Sequence, residues 1–462
     1  LVEEASVEQS IFLDFHLPNA ATWFYFSLIL TLALFFQFAR PFCLRNLDLL
    51  SLFLFAPGFL LLQEAHQVLL SANQATADAG IILLERGQRE LLFAYIWLLA
   101  GSAYWFVRTL FDLTLLRRPV VNANLTTAGL ACLGLALFVG QGSVAVRRVS
   151  DHAESGSVGR RPRSIEQVQD QATAVVQQAQ VETGHWGSPE DVRFWVERTL
   201  AMSCHAAVVL GLLLIGLRHF QDRTAGIGMG TLYLLVPYTA YHIGQLHHVW
   251  PAALLLWAIF YYRRPVAAGW LLGLAAGSSL FPTLLLPLWI GFYFHRGLSR
   301  FLLSFLTSAL LCIGVSALLQ WWDGDNSFGL SSALSLPEWQ PWMVPMTESI
   351  WTGTHWAYRL PIFVLYVAFL CGITVWPSPK KLAHLIALSA AVLIGLQFWY
   401  GDRGGVYVLW YMPLLLVMVF RPTLVMAEPP SLPAQGGFVF RLAGVAWRRV
   451  RSGPNPDKEL AV

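Results

Sequence analysis

Charge is what this chain has least of. Lys, Arg, Asp and Glu make up 12% of its 462 residues, about half the ~25% usual in a soluble globular domain. That deficit excludes a disordered chain and an ordinary cytosolic enzyme. Cysteine is scarce too. Cys43, Cys132, Cys204, Cys312 and Cys371 are scattered and form no C-x-x-C pair, so they read as small core hydrophobes and not as a disulfide or zinc framework. No H-x-x-x-H spacing and no internal repeat is present, and a net charge of +3 argues neither for nor against nucleic acid.

What is abundant is apolar sequence, at 56% of the chain with 14% aromatic. Runs long enough to approach a ~30 Å hydrocarbon core fall at 21–38, 47–63, 91–107, 125–144, 199–217, 226–241, 249–262, 266–280, 281–294, 301–321, 360–376, 382–400 and 405–420. The expectation is an all-α polytopic transmembrane bundle of about 13 segments, within 11–14. Pro237, Pro282 and Pro287 lie inside runs, which predicts broken or re-entrant helices there.

Basic residues gather at every second loop: Arg40 and Arg45, Arg108 with Arg117 and Arg118, Arg218 and Arg223, Arg263 and Arg264, Arg296 and Arg300, Lys380 and Lys381, and Arg421. The positive-inside rule then puts the C-terminus in the cytoplasm and the N-terminus outside an inner, cell-type membrane. The remaining connections, 1–20, 64–90, 145–198, 242–248, 322–359 and 401–404, become extracytoplasmic. These divide the chain into an outer segment 1–20, a first bundle 21–144, an outer loop 145–198, a central bundle 199–321, a Trp-rich outer loop 322–359, C-terminal helices 360–420 and a basic tail 421–462. Within 145–198, residues 164–181 read as an amphipathic helix, and Ser188-Pro189 as a second helix start with proline at the first helical position.

Polar residues concentrate at the outer ends. Tyr241-His242-Ile243-Gly244-Gln245-Leu246-His247-His248 places three histidines and a glutamine at one boundary. Such a cluster suits an interfacial loop in water, a grip on a polar headgroup, or, least well, a metal. Gly269, Gly273 and Gly277, spaced by four, make a smooth face for close helix packing, and Ser278 and Ser279 follow at the break. Loop 322–359 carries Trp339 and Trp342 among its indoles, which suit either interfacial anchoring or a sugar ring. The outer carboxylates by parity are Asp14, Glu64, Asp78, Glu90, Glu190, Asp191, Asp323 and Asp402.

Several of these pieces occur in a familiar order. Gly244-Gln245 is followed by an apolar helix, Arg263-Arg264, then Ala268-Gly269-Trp270-Leu271-Leu272-Gly273-Leu274-Ala275 and the return segment Pro282-Thr283-Leu284-Leu285-Leu286-Pro287. Near the end comes Tyr407-Val408-Leu409-Trp410-Tyr411-Met412-Pro413. This pattern resembles the GT-C superfamily of integral-membrane glycosyltransferases, in particular its bacterial polyprenol-phosphate-mannose-dependent branch. It covers about 226–300 and 400–420. The resemblance implies transfer of a mannose-type hexose from a polyprenyl-phosphate donor to a glycan, lipid or protein acceptor at the outer face, with no further cofactor and no metal. On a transferase reading the candidate substrate contacts are His242, Gln245, His247, His248, Ser278, Ser279, Trp339, Trp342, Tyr407 and Trp410. One outer acid would serve as base, with Asp14, Glu64 and Asp323 as the alternatives. A helix preceding Leu1 would bring Asp14 into the first outer loop, where the family keeps its acid. The sequence departs from the pattern at Ser278 and Ser279, where family members often carry a basic residue. A degenerate, non-catalytic subunit of a membrane complex is the competing reading, and a transporter the third.

Overall fold

The computed structural model describes residues 20–112, 114, 121–147, 169–170, 172–174, 176–177, 189–294, 296–322, 340–342 and 349–422. Among these the secondary structure is entirely helical. In chain order the helices are α1 (Ala20–Phe35), α2 (Leu44–Ser51), α3 (Ala56–Gln74), α4 (Ala77–Asp112), α5 (Thr127–Arg147), α6 (Pro189–Ile215), α7 (Arg223–Leu235), α8 (Pro237–Tyr241), α9 (Leu246–Phe260), α10 (Pro265–Ser278), α11 (Leu286–Tyr293), α12 (Leu298–Trp322), α13 (Leu360–Val375), α14 (Leu382–Leu396) and α15 (Met412–Phe420). Among the described residues six stretches are long and apolar enough to cross a membrane: Leu44–Gln74, Asp78–Asp112, Thr127–Val146, Val192–Phe220, Leu298–Leu318 and Trp356–Val375. Five shorter apolar helices accompany them.

Proline sets many of the boundaries. It occupies the first turn of α8, α10, α11, α13 and α15, where its missing N–H costs no intrahelical bond. The runs with internal proline break as expected. α7 stops at Leu235 before Pro237, and 281–294 divides into a 3-10 turn, Phe281–Leu285, and α11. Pro189 opens α6 at its first position, and the described residues between 169 and 177 are helical.

One connection differs from the sequence expectation. Residues 64–90 form the facing ends of α3 and α4, which pair as an antiparallel hairpin and leave only 75–76 outside a helix. Its polar residues Glu64, Arg86 and Glu90 lie on the helices, with Arg86 Nε donating to Glu90 Oε1 at 2.7 Å. The cysteines also differ: Cys132 and Cys371 are exposed, on helices whose outward faces are apolar.

The architecture is a buried centre of short helices inside a sheath of long ones. All nine residues of α15 are buried, and so are residues 385–396 of α14. At 1.5 Å per residue α15 is about 14 Å long, too short to cross a bilayer. Irregular backbone at such depth is tolerated because protein surrounds it. The sheath shows the opposite pattern. Leu303, Leu310 and Leu318 of α12 and Val364 and Leu365 of α13 are all exposed, as surfaces facing lipid are.

α10 and α12 approach closely because α10 has no side chains in the way. A Cβ at Gly269 would stand 2.5 Å from the Phe301 carbonyl, one at Gly273 would overlap the Phe305 carbonyl, and one at Gly277 would stand 2.7 Å from Cys312 Cβ. The four-residue glycine spacing is thus a packing device.

The basic loops meet at one end. Arg45 Nη2 donates to the carbonyls of Phe35, at 2.7 Å, and Asn122. Thr127 bonds Thr224 at 3.0 Å, the His219 ring meets the Phe260 carbonyl at 2.9 Å, and the Tyr293 hydroxyl donates to the Tyr262 carbonyl at 2.6 Å. Three of the arginines expected as loop charges are instead buried. Arg108 grips Asp48 with two bonds of 2.6 Å and Asp112 with one of 3.1 Å. Arg421 also pairs with Asp112. Two acids and two arginines from α2, α4 and the end of α15 therefore form one closed ionic network.

Two outcomes are expected. Arg421→Ala leaves a buried carboxylate undercompensated and should cost about 3–5 kcal/mol, read as a loss of thermal stability in detergent. Gly273→Leu should force α10 off α12 and cost about 1–3 kcal/mol or more, while the same change at exposed Gly314, where no atom lies within 4 Å of a built Cβ, should cost far less.

Candidate functional site

At the end away from the ionic network, four separate pieces of chain meet. The turn after α8 and the start of α9 supply His242, Gln245, His247 and His248. The end of α10 supplies Ser278 and Ser279. The 3-10 turn before α11 supplies Phe281. The connection from α14 to α15 supplies residues 397–411.

Their rings form a continuous stack. His242 lies on His248 with centroids 3.9 Å apart, His248 faces Tyr407 at 5.3 Å, Tyr407 lies on Trp410 at 4.1 Å, and Trp410 lies on Phe281 at 3.7 Å. Adjacent planes are within 30° of parallel throughout. Such offset face-to-face pairs each contribute about 0.5–1.5 kcal/mol beyond area burial. His247 packs beside His248 at 4.3 Å, and Phe59 of α3 meets His242 edge-on at 5.4 Å.

Hydrogen bonds fix the frame. His242 Nδ1 meets Gln245 Oε1 at 2.7 Å, and Trp410 Nε1 donates to the His247 carbonyl at 3.3 Å. Ser278 Oγ accepts from Trp250 Nε1 at 2.9 Å and donates to the Ala275 carbonyl at 3.0 Å. Ser279 ends α10 in extended geometry. From within the membrane-spanning part of α6, His205 Nδ1 meets the Tyr233 hydroxyl at 2.9 Å.

The loop Gly401-Asp402-Arg403-Gly404-Gly405 closes the stack on one side. Tyr407 donates its hydroxyl to Asp402 Oδ2 at 3.0 Å, and Asp402 is 9% exposed. Arg403 holds a φ of 43°, in the left-handed region that costs a side-chain-bearing residue about 1–2 kcal/mol. Gly405, at φ 99°, donates its N–H to Gln397 Oε1 at 2.9 Å. Two more guanidinium groups flank this end. Arg359, 2% exposed, donates to the Pro341 carbonyl at 3.1 Å and occupies the space a side chain at Gly401 would need. Arg198 of α6 fills the space beside Gly244 and lies 4.9 Å over the Phe194 ring.

Six of the residues marked from the sequence thus share one cluster: His242, Gln245, His247, His248, Tyr407 and Trp410. Ser278 and Ser279 adjoin it through Trp250. Trp342 is 53% exposed, beside the Pro341 that Arg359 engages. Glu64 is exposed on α3 and stands 4.0 Å from Arg86. Asp14, Asp323 and Trp339 lie outside the described residues. Sequence reading passed over Phe281, Arg198, Arg359 and Arg403, and left Asp402 among many outer acids. The signal for the last two was a pair of opposite charges enclosed by glycines between apolar runs. Among the described residues no group of three His, Cys, Asp or Glu side chains could hold a metal ion.

No family model, curated protein or solved structure matches this chain.

Gly244→Ala tests the Arg198 seat. The new methyl group occupies the guanidinium's position, and the arginine is displaced because its end is the mobile partner. The expected result is a modest stability change in detergent, about 1 kcal/mol, together with weaker retention of any anionic lipid held at this end, measured by native mass spectrometry.

Proposed function

We propose that this protein is a membrane glycosyltransferase that moves a sugar, a mannose-type hexose, from a polyprenyl-phosphate carrier to an acceptor at the extracytoplasmic face. One observation carries the reading. Three parts of the pattern that resembles GT-C, Gly244-Gln245, the break between 268–275 and 282–287, and 407–413, meet at one end of the bundle around the ring stack. That convergence is what supports the reading.

The chemistry of that end suits such a substrate. Arg198 and Arg403 supply the positive charge that Ser278 and Ser279 do not, and guanidinium groups match phosphate geometry. Histidines and Gln245 offer hydrogen bonds to phosphate oxygens or sugar hydroxyls. The exposed indole of Trp342, beside the Pro341 that Arg359 engages, suits the apolar face of a pyranose. On this reading the basic loops at the opposite end are cytoplasmic, as the positive-inside rule favours, the C-terminus is with them, and the ring stack faces outward from an inner membrane.

The competing reading, a non-catalytic subunit of a membrane assembly, rests on the stack itself. Its rings cover one another and leave few faces for a ligand. Native mass spectrometry of gently purified protein separates the two. The transferase reading expects a retained polyprenyl phosphate, with or without sugar. A preparation holding only bulk phospholipid, or a stoichiometric protein partner, would sink it in favour of the subunit.

A further inference from the structure

We infer that Asp402 is the catalytic base of this site, an assignment that rests on the transferase reading and goes beyond it. Of the outer carboxylates with described side chains, Glu64, Asp78, Glu85 and Glu90 lie on the α3–α4 hairpin, where Arg86 engages Glu64 and Glu90, Asp170 pairs with Arg193, and Glu197 lies on α6. Asp402 is joined directly to the ring stack, through the 3.0 Å bond from Tyr407.

The placement is rigid for a chain of reasons. The Tyr407 ring is held between His248 and Trp410, so its hydroxyl is fixed, and with it the Asp402 carboxylate. The Arg359 guanidinium seats Gly401 from one side. Arg403 follows in a left-handed conformation that turns the chain back at once, and a Cβ at Gly404 would overlap the Gln397 carbonyl. Backbone strain next to a buried carboxylate is a feature of sites that hold a group for chemistry. The loop also places cationic Arg403 next to the acid, which provides for a phosphate and a base side by side.

The step is a single displacement. The acceptor hydroxyl gives its proton to an Asp402 carboxylate oxygen as its oxygen bonds to the anomeric carbon. The bond from that carbon to the phosphate oxygen breaks, and its electron pair leaves on polyprenyl phosphate. Configuration at the sugar inverts. The hydrogen bond from Tyr407 orients the carboxylate and does not itself touch the reacting atoms, so Tyr407 is a positioning residue for the base.

The test uses full-length protein in nanodiscs, loaded with polyprenyl phosphomannose and given octyl mannoside or water as acceptor. Donor retention is read by native mass spectrometry and donor consumption by single turnover. Asp402→Asn should slow consumption by about 100-fold or more while donor retention stays within about threefold. Asp402→Ala should regain at least about tenfold in added formate, which takes the vacated place and accepts the proton; a merely structural aspartate would show no such rescue. Tyr407→Phe should fall between wild type and Asp402→Asn. Wild-type turnover by Asp402→Asn overturns the assignment and leaves the transferase reading standing, with Asp14 or Asp323 as base. Loss of donor retention in Asp402→Asn, without formate rescue of Asp402→Ala, assigns Asp402 to the frame and not to proton transfer. Wild-type protein that holds donor and never consumes it overturns the base and leaves a binding subunit, and failure to hold donor at all removes the transferase reading as well.

Discussion

The buried ionic network of Asp48, Arg108, Asp112 and Arg421 is the constraint on which the rest of the arrangement depends. Charges taken from water into a protein interior repay their desolvation only when geometry and pairing are good. Here the bidentate grip of Arg108 on Asp48 and the double use of Asp112 leave two acids balanced by two arginines. The network ties the end of α15 to α2 and α4. It thereby anchors a nine-residue helix that could not hold a place in a bilayer by its own length.

That anchor has a consequence at the other end. Because α15 is short and fixed at its C-terminal end, its N-terminal end stops deep in the protein, and the preceding loop 397–411 must lie inside the bundle. The loop can do so because its polar groups find partners: Gln397 takes the Gly405 N–H, Asp402 takes the Tyr407 hydroxyl, and Trp410 gives its N–H to the His247 carbonyl. The ring stack then binds α9, the α10–α11 turn and this loop into one unit. Stacking supplies cohesion here without apolar bulk, so polar ring edges can stand at membrane depth. The α10–α12 glycine contact acts in the same direction, bringing Ser278 and Phe281 close enough to join.

A site built this way is preorganised. Its acid, its arginines and its rings are set by contacts among four segments, none of which is a long mobile loop. The cost of such an arrangement is strain, visible at Arg403, and the presence of cationic and anionic groups side by side. Both features are ones the proposed transfer, in which a phosphate leaves as a proton is taken up, would use.

The sequence by itself determined the helical class, the apolar segments, the proline breaks before Pro237 and at 281–287, and the glycine face of α10. Each of these follows from local rules: hydropathy over a window, a missing N–H, a missing Cβ. It also marked the histidine cluster and Tyr407 and Trp410 as polar or aromatic groups at helix ends. Only the tertiary structure decided that Arg45, Arg108 and Arg421 are buried and not loop charges, that 64–90 is a helical hairpin, and that Asp402 and not Glu64 meets the ring stack. The buried arginines depend on partners well along the chain, 60 residues away in the Arg108 to Asp48 pair, 77 in the Arg45 to Asn122 contact and 309 in the Arg421 to Asp112 pair. Hydropathy sums a residue with its neighbours in sequence, whereas burial of a charge is decided by the counter-charge that the fold brings to it.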